Sequence, residues 1–346
     1  MAEPRAYEDA WVQALAILAL ISGIYTVRSY AAGVYTSPPA VPAPAPPAAP
    51  LPAPVRPAVR AERDLAALVA QAAAGATVVL PPGRYAGPIE LTKYVVLRGG
   101  GSSPDDVVIS AAGPRTITVS GVSAMLINLT VENEGGAGGA AVYASGGTVA
   151  TRQVTIRSSG TGVWAVGSNL QLVSAEISGR VGVLIEAGAR GSIQLTSVTG
   201  REAAVTATGS DVNVAIERGR LESPEGTGLA VSRFARVRLS RSTVSGSRSS
   251  GVLALTGAEV SVSGSELRDN QGCGVRLGDA QVKLDNVLLQ RNQCGVGFVG
   301  AGMLTVDNSR FLELSMGAIA VKPGLAGKIT VKGKDNYGLS IPEPTQ

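Results

Sequence analysis

The chain has 346 residues, a formal net charge of +4, no histidine and two cysteines. Without imidazole there is no Ser-His-Asp or Cys-His catalysis, no common zinc site and no histidine acid or base. So mild a charge, with no basic helical stretch and no interleaving of basic and aromatic residues, points away from nucleic acid as a partner.

Trp11 to Val27, WVQALAILALISGIYTV, is apolar but for Gln13, Ser22 and Thr26. At about 1.5 Å per residue it just reaches across a bilayer's hydrocarbon core. Glu3, Glu8 and Asp9 against Arg5 make a poor positive n-region. Residues 1–35 are therefore read as a cytoplasmic tip and a single uncleaved transmembrane anchor, with a cleaved signal peptide as the alternative. Residues 36–59 are a Pro/Ala-rich linker, with ten prolines between Thr36 and Ala58. Such a segment suits an extended strut that holds a periplasmic domain away from the inner membrane.

A short amphipathic helix is predicted over about Glu62 to Ala74, with Leu65, Leu68, Val69 and Ala72 on one stripe and Gly75 beyond its end. Past it, one grammar repeats. Small residues open successive units at Ala140, Gly162, Gly182, Ala203, Gly228, Gly251, Gly274, Gly295 and Gly317, with spacings of 22, 20, 21, 25, 23, 23, 21 and 22. A period in this range is the mark of a solenoid. Within each unit short runs alternate in hydrophobicity and are broken by Gly, Ser or Asn, which fits about three strands and no helix.

The first strand points Val163, Val183, Leu229, Val252, Val275 and Val296 inward, then Ala165, Ile185, Val231, Ala254, Leu277 and Phe298. The second does the same with Leu170/Leu172, Ile193/Leu195, Val212/Val214, Val237/Leu239, Val260/Val262 and Val282/Leu284. No unit could bury its apolar side alone; stacked units share one core. The expected architecture is all-β: a parallel solenoid of about twelve coils over 60–340, with a capping helix before it and a tail at 341–346. Cys273 and Cys294 each stand immediately before an opening glycine, so the stack sets them about one strand spacing apart. That leaves a disulfide and a pair of buried thiols both open. Lys328, Lys332 and Lys334 decorate the last, open edge, as charges that discourage end-to-end pairing do.

The helix, the run TVVLPPGRYAGPIEL and the Gly-Val openings of the coils resemble the right-handed parallel β-helix, or pectin lyase-like, superfamily over about Arg60 to Ser340. The resemblance implies a right-handed β-helix and a polysaccharide as the class of ligand. It does not imply one chemistry, because that superfamily includes lyases, hydrolases, epimerases and members that only bind or build. The Asn-Thr-Asp with Gly-His-Gly set, the Asp-Pro-His-Asp run and the Trp-Ile-Asp-His run of its enzymes are missing here.

Aligning the second strand sets Arg236, Arg238 and Ser240 beside Glu259, Ser261 and Ser263, then Gln281, Lys283 and Asp285, then Met303, Thr305 and Asp307, all facing outward. Asp285 and Asp307 would stack with Lys283 and Arg238 on one surface. This is either a catalytic group for cleaving an acidic glycan, with calcium as its one conceivable cofactor, or a solvated face with ion pairs such as Arg236 with Glu259. Seven arginines fall between Arg218 and Arg248, and no acid lies between Gly228 and Ser250. Arg218, Arg220, Arg236 and Arg241 are thus candidate anion contacts, with Arg218 beside Arg241; plain surface arginines are the alternative. Outward-facing Trp164 could stack on a sugar or pack beneath a neighbour. The extra residues ENEGGAGG and ESPEGTG lengthen one corner, a place where solenoids often carry a binding rim.

These readings combine into a protein anchored in the inner membrane through residues 11–27, with its β-helix in the periplasm. Its expected task is to bind an anionic or neutral polysaccharide, or to scaffold an envelope assembly with protein partners. The alternative is a polysaccharide lyase or glycoside hydrolase. No resident metal or cofactor is expected.

Overall fold

The computed structural model describes residues 64–325 and 328–339. The expected span at 11–27, the linker at 36–59 and the tail at 341–346 lie outside the described residues. No helix among the described residues is long and apolar enough to cross a membrane. By its contacts the chain divides into 1–56 and 57–346, and every described residue belongs to the second unit.

Among the described residues one α-helix, α1 (Leu65–Gln71), precedes the strands, and it is shorter than the sequence stripe suggests. Asp64 caps it, its side chain accepting from the Ala67 N–H at 3.0 Å. At the other end Ala72 is already extended. Gly75, at φ +83, turns the chain into the first strand. Leu65 and Val69 are buried in the end of the core, while Leu68 is exposed.

Thirty strands follow among the described residues, all in one parallel system that winds through about eleven turns rather than twelve. The difference arises because the helix and the final residues occupy part of the span that the repeat length would divide into coils. Each turn contributes to three ladders. In the coil opening at Gly251 these are Ser250–Leu255, Glu259–Ser263 and Glu266–Arg268, here called the first, second and third ladders.

Their inward columns form the core. In the first ladder Val163, Val183, Val205, Leu229, Val252, Val275 and Val296 stack in register and are all fully buried. In the third, Ile177, Val198, Leu221, Val244, Leu267 and Leu289 do the same. Each such side chain contributes about 1.5–3 kcal/mol by leaving water, which no single coil could collect by itself.

Two register expectations need correction. The small-residue column at the opening runs through Ala141, Gly162, Gly182, Ala204, Gly228, Gly251, Gly274, Gly295 and Ala318, so Ala140, Ala203 and Gly317 each stand one residue too early. The reason is a close approach at the corner between the third and first ladders. A β-carbon on Gly182 would lie 2.3 Å from Val198 Cγ1, and one on Gly228 would lie 2.3 Å from Val244 Cγ1. In the second ladder Leu172 pairs with Ile193 and then Ile216, while Leu170 pairs with Gly191 and then Val214. The inward pairs are thus Gly191/Ile193 and Val214/Ile216, two residues away from the expected Ile193/Leu195 and Val212/Val214. Leu195 instead occupies a left-handed turn at φ 50 and is exposed.

That turn is itself a column. Asn128, Gln153, Ser174, Leu195, Arg218, Arg241, Gly264, Asn286 and Asn308 all have φ near 50 at the step from second to third ladder. Hydroxyls stacked just after it accept the turn's N–H groups. Ser242 Oγ takes the Gly219 N–H at 3.0 Å, and Ser265 Oγ takes the Ser242 N–H at 3.1 Å. At the next corner buried Asn270 donates to Asn292 Oδ1 at 2.9 Å. Cys273 and Cys294 lie side by side there and form a disulfide, with α-carbons 4.3 Å apart.

Candidate functional site

Because side chains alternate along a strand, the residues between the inward columns of the second ladder face solvent. Arg236, Arg238 and Ser240 lie beside Glu259, Ser261 and Ser263, then Gln281, Lys283 and Asp285, then Met303, Thr305 and Asp307. Over these coils the face forms an open groove of about 350 Å³, lined by Arg236, Arg238, Ser261, Gln281, Lys283 and Thr305 among others. Arg236 Nε donates to Glu259 Oε2 at 3.1 Å, so this arginine is neutralised by the next rung. Arg238 and Lys283 have no ion-pair partner among the described residues and stand out toward solvent.

Asp285 and Asp307 are register neighbours, as the alignment expects. They sit at the strand ends and do not line the groove. Asn308 Nδ2 donates to Asp285 Oδ1 at 3.1 Å, and Lys334 is the next residue in register after Asp307. No group of three or more Cys, Asp or Glu side chains that could hold a metal occurs among the described residues. Calcium takes six to eight oxygen ligands, so these two carboxylates alone do not fit it.

The arginine cluster does not form one patch. Arg218 and Arg241 stand in adjacent left-handed turns, and Arg241 Nη2 is bonded to Glu217 Oε1, so the carboxylate that the pair of arginines requires comes from the chain itself. Arg220 lies on the third ladder and pairs with Glu222 at 2.6 Å. Only Arg236 of the four candidates borders the groove, and it is the one paired with Glu259. The stretch without acids in the sequence is thus offset by glutamates from flanking coils.

Trp164 is on the first ladder, far in sequence and on a different face from the groove. Its Nε1 donates to Glu186 Oε1 at 3.0 Å, and its ring meets Tyr143 edge-on at 5.2 Å, with the Arg115 guanidinium 3.4 Å above the Tyr143 ring. The extra residues before Ala140 and Leu229 both fall at the corner between the third and first ladders. There Arg180 reaches across to the Ala137 carbonyl at 3.2 Å and to Glu202 at 2.6 Å.

Two features escaped the sequence reading. A second open groove, of about 600 Å³, lies on the N-terminal part of the second ladder and is lined by Tyr94, Val122, Met125 and Ala150 with small polar neighbours. Its outward apolar residues look like core in a linear reading. A charged ladder also runs along the turns after the third ladder. Asp269 Oδ1 accepts from Arg291 Nε at 2.6 Å and Asp269 Oδ2 from Arg268 Nη1 at 2.6 Å. The Arg291 hydrogen bond, with Arg268 behind it, holds the Asp269 carboxyl below the usual carboxylate range.

Three parallel ladders, an interior stacked in columns and one-residue left-handed corners define a parallel β-solenoid. The fold is a right-handed parallel β-helix. A family profile described as a right handed beta helix region matches residues 167–311. The chain is similar in structure to the pectate lyase Pel9A, with 14% identity over 79% of this chain and 73% of that one, at a TM-score of 0.53. It also overlaps the periplasmic alginate epimerase AlgG, with 12% identity over 82% of this chain and 84% of that one, at a TM-score of 0.47. A third overlap is with the catalytic unit of a GH87 alpha-1,3-glucanase from Streptomyces thermodiastaticus, with 14% identity over 79% and 66% and a TM-score of 0.40. No protein of curated function matches the sequence.

Proposed function

We propose that this β-helix binds an anionic polysaccharide along the groove of its second ladder. The observation that carries the reading is the pair Arg238 and Lys283, exposed, free of carboxylate partners among the described residues and set in a groove floored by Ser261, Gln281 and Thr305. Arg220, Arg236 and Arg241 are already paired with glutamates of the chain, whereas these two can each take a carboxylate or sulfate. A protein of the same fold is by its name a lyase of pectate, itself an acidic polymer. The Cys273–Cys294 bond supports an oxidising compartment such as the periplasm, where the apolar stretch at 11–27 would hold the protein at the inner membrane. Scaffolding of an envelope assembly is compatible with the same placement.

Titration of the full-length chain with polygalacturonate tests the reading. Arg238→Ala with Lys283→Ala should weaken binding about tenfold or more, an effect of about 1.4 kcal/mol, and binding should fall with salt. Unchanged affinity in the double variant, or no binding by the parent, would remove it.

A second reading, a lyase or hydrolase on the same polymer, is favoured by one observation: Asp285 and Asp307 are adjacent rungs beside the groove. Unsaturated product or new reducing ends in the same mixtures, lost in Asp285→Asn with Asp307→Asn, would establish turnover.

A further inference from the structure

The middle outward column of the second ladder runs Arg238, Ser261, Lys283, Thr305, Lys332 in strict register. A cation stands on every second rung and a hydroxyl on each rung between. Parallel strands are about 4.8 Å apart, so successive cations project from positions about 10 Å apart along the stack.

The columns to either side reinforce that alternation. Taking all three outward residues of each rung, the rungs of Arg238, Ser261, Lys283, Thr305 and Lys332 carry formal charges of +2, −1, 0, −1 and +2. The acids responsible on the intervening rungs are Glu259 and Asp307. The first two outward residues of each of the first four rungs line the groove, with Asp285 and Asp307 beside it at the strand ends, so a polymer lying along the stack meets the rungs in order.

Resting on the proposed polyanion-binding role, we infer that the groove is matched to an alternating polysaccharide, with one acidic sugar for every neutral one, rather than to a homopolymer of uronic acid. An extended glycan advances by two sugars in about the distance of two strands. An alternating chain then sets each carboxylate against Arg238, Lys283 or Lys332. Its neutral sugars face Ser261 and Thr305, whose hydroxyls both donate and accept. A homopolyuronate in the same register brings every second carboxylate against Ser261 and Thr305, on the rungs that also carry Glu259, half-exposed beside its Arg236 partner, and Asp307 at the edge of the groove. Like charges meeting across an interface disfavour that ligand, and discrimination of this kind comes from repulsion as much as from attraction.

The experiment is a competition on the full-length chain between hyaluronan and polygalacturonate oligosaccharides of equal sugar number. Polygalacturonate carries twice the charge, so plain electrostatic attraction would favour it. The expected result is the opposite, with hyaluronan bound about fivefold to tenfold more tightly, roughly 1–1.4 kcal/mol. Glu259→Gln with Asp307→Asn should reduce that ratio to about twofold or less, by improving the homopolymer. Equal or tighter binding of polygalacturonate by the parent overturns the alternation and leaves the binding groove standing. A ratio that the double variant leaves unchanged overturns it as well. Failure of both oligosaccharides to bind removes the groove reading itself.

Discussion

The outer face of the second ladder carries two grooves over the same kind of interior. Near the N-terminal end it is lined by Tyr94, Val122, Met125 and Ala150; toward the C-terminal end it is lined by Arg236, Arg238, Gln281 and Lys283. Beneath the first lie Leu97 and Leu126, beneath the second Leu239 and Leu284, all fully buried and all in one column. The inward half of each strand therefore sets the fold, and the outward half is free to vary from coil to coil. A difference in chemistry along the solenoid needs no difference in backbone.

The sharpest way to break that comparison is to cut the shared interior at both places. Leu126→Ala and Leu239→Ala should each cost about 2–5 kcal/mol, read by denaturant unfolding. A cost confined to one end would show that the two regions are not built alike. Next in size is the disulfide, which exists only on the C-terminal side. Cys273→Ala with Cys294→Ala closes no loop across its 21-residue separation and should cost about 2–4 kcal/mol. Because coils touch only their neighbours, the faster amide exchange should appear in Ser250–Leu255 and Val296–Phe298 and not in Ala140–Ser145.

The smallest effect concerns the Asp269 ladder. Its carboxyl is held below its ordinary range by Arg291, so its stabilising contribution is present above the unfolded-state pKa and is lost as pH falls through the lower folded-state value. Its side chain is 36% exposed, and Asp269→Asn should cost about 1 kcal/mol or less at pH 7. The gap between variant and parent should close in acid; a gap that stays constant with pH would remove the ion pair as its cause.

Much of this could be read from residues alone, for a definable reason. Alternation fixes which side of a strand a residue faces, so the outward set from Arg236 to Asp307 emerges once the rung is known. A slip of two residues preserves parity, which is why Ile193/Leu195 looked as good as the observed pairing of Ile193 with Leu172. Only the turn distinguishes them, through Leu195 in the left-handed corner. The arginine-rich stretch failed differently. The strand alignment already pairs Arg236 with Glu259, but Glu217 neutralises Arg241 from a turn one coil away, and a count of acids along the chain between Gly228 and Ser250 does not reach it. The apolar groove was hidden because Met125 and Ala150 are hydrophobic on the solvent side, where the pattern assigns polar residues.

The strict stacking of the second ladder also limits how such a surface can change in size. A rung is added or lost only as a whole coil, because extra residues within a coil are taken up at a corner, as they are before Ala140 and Leu229, and add no strand to the stack. Any ligand site spread along it can therefore lengthen only in fixed increments, like the divisions of a ruler. Recognition of polymer length would be inherited in units of one strand.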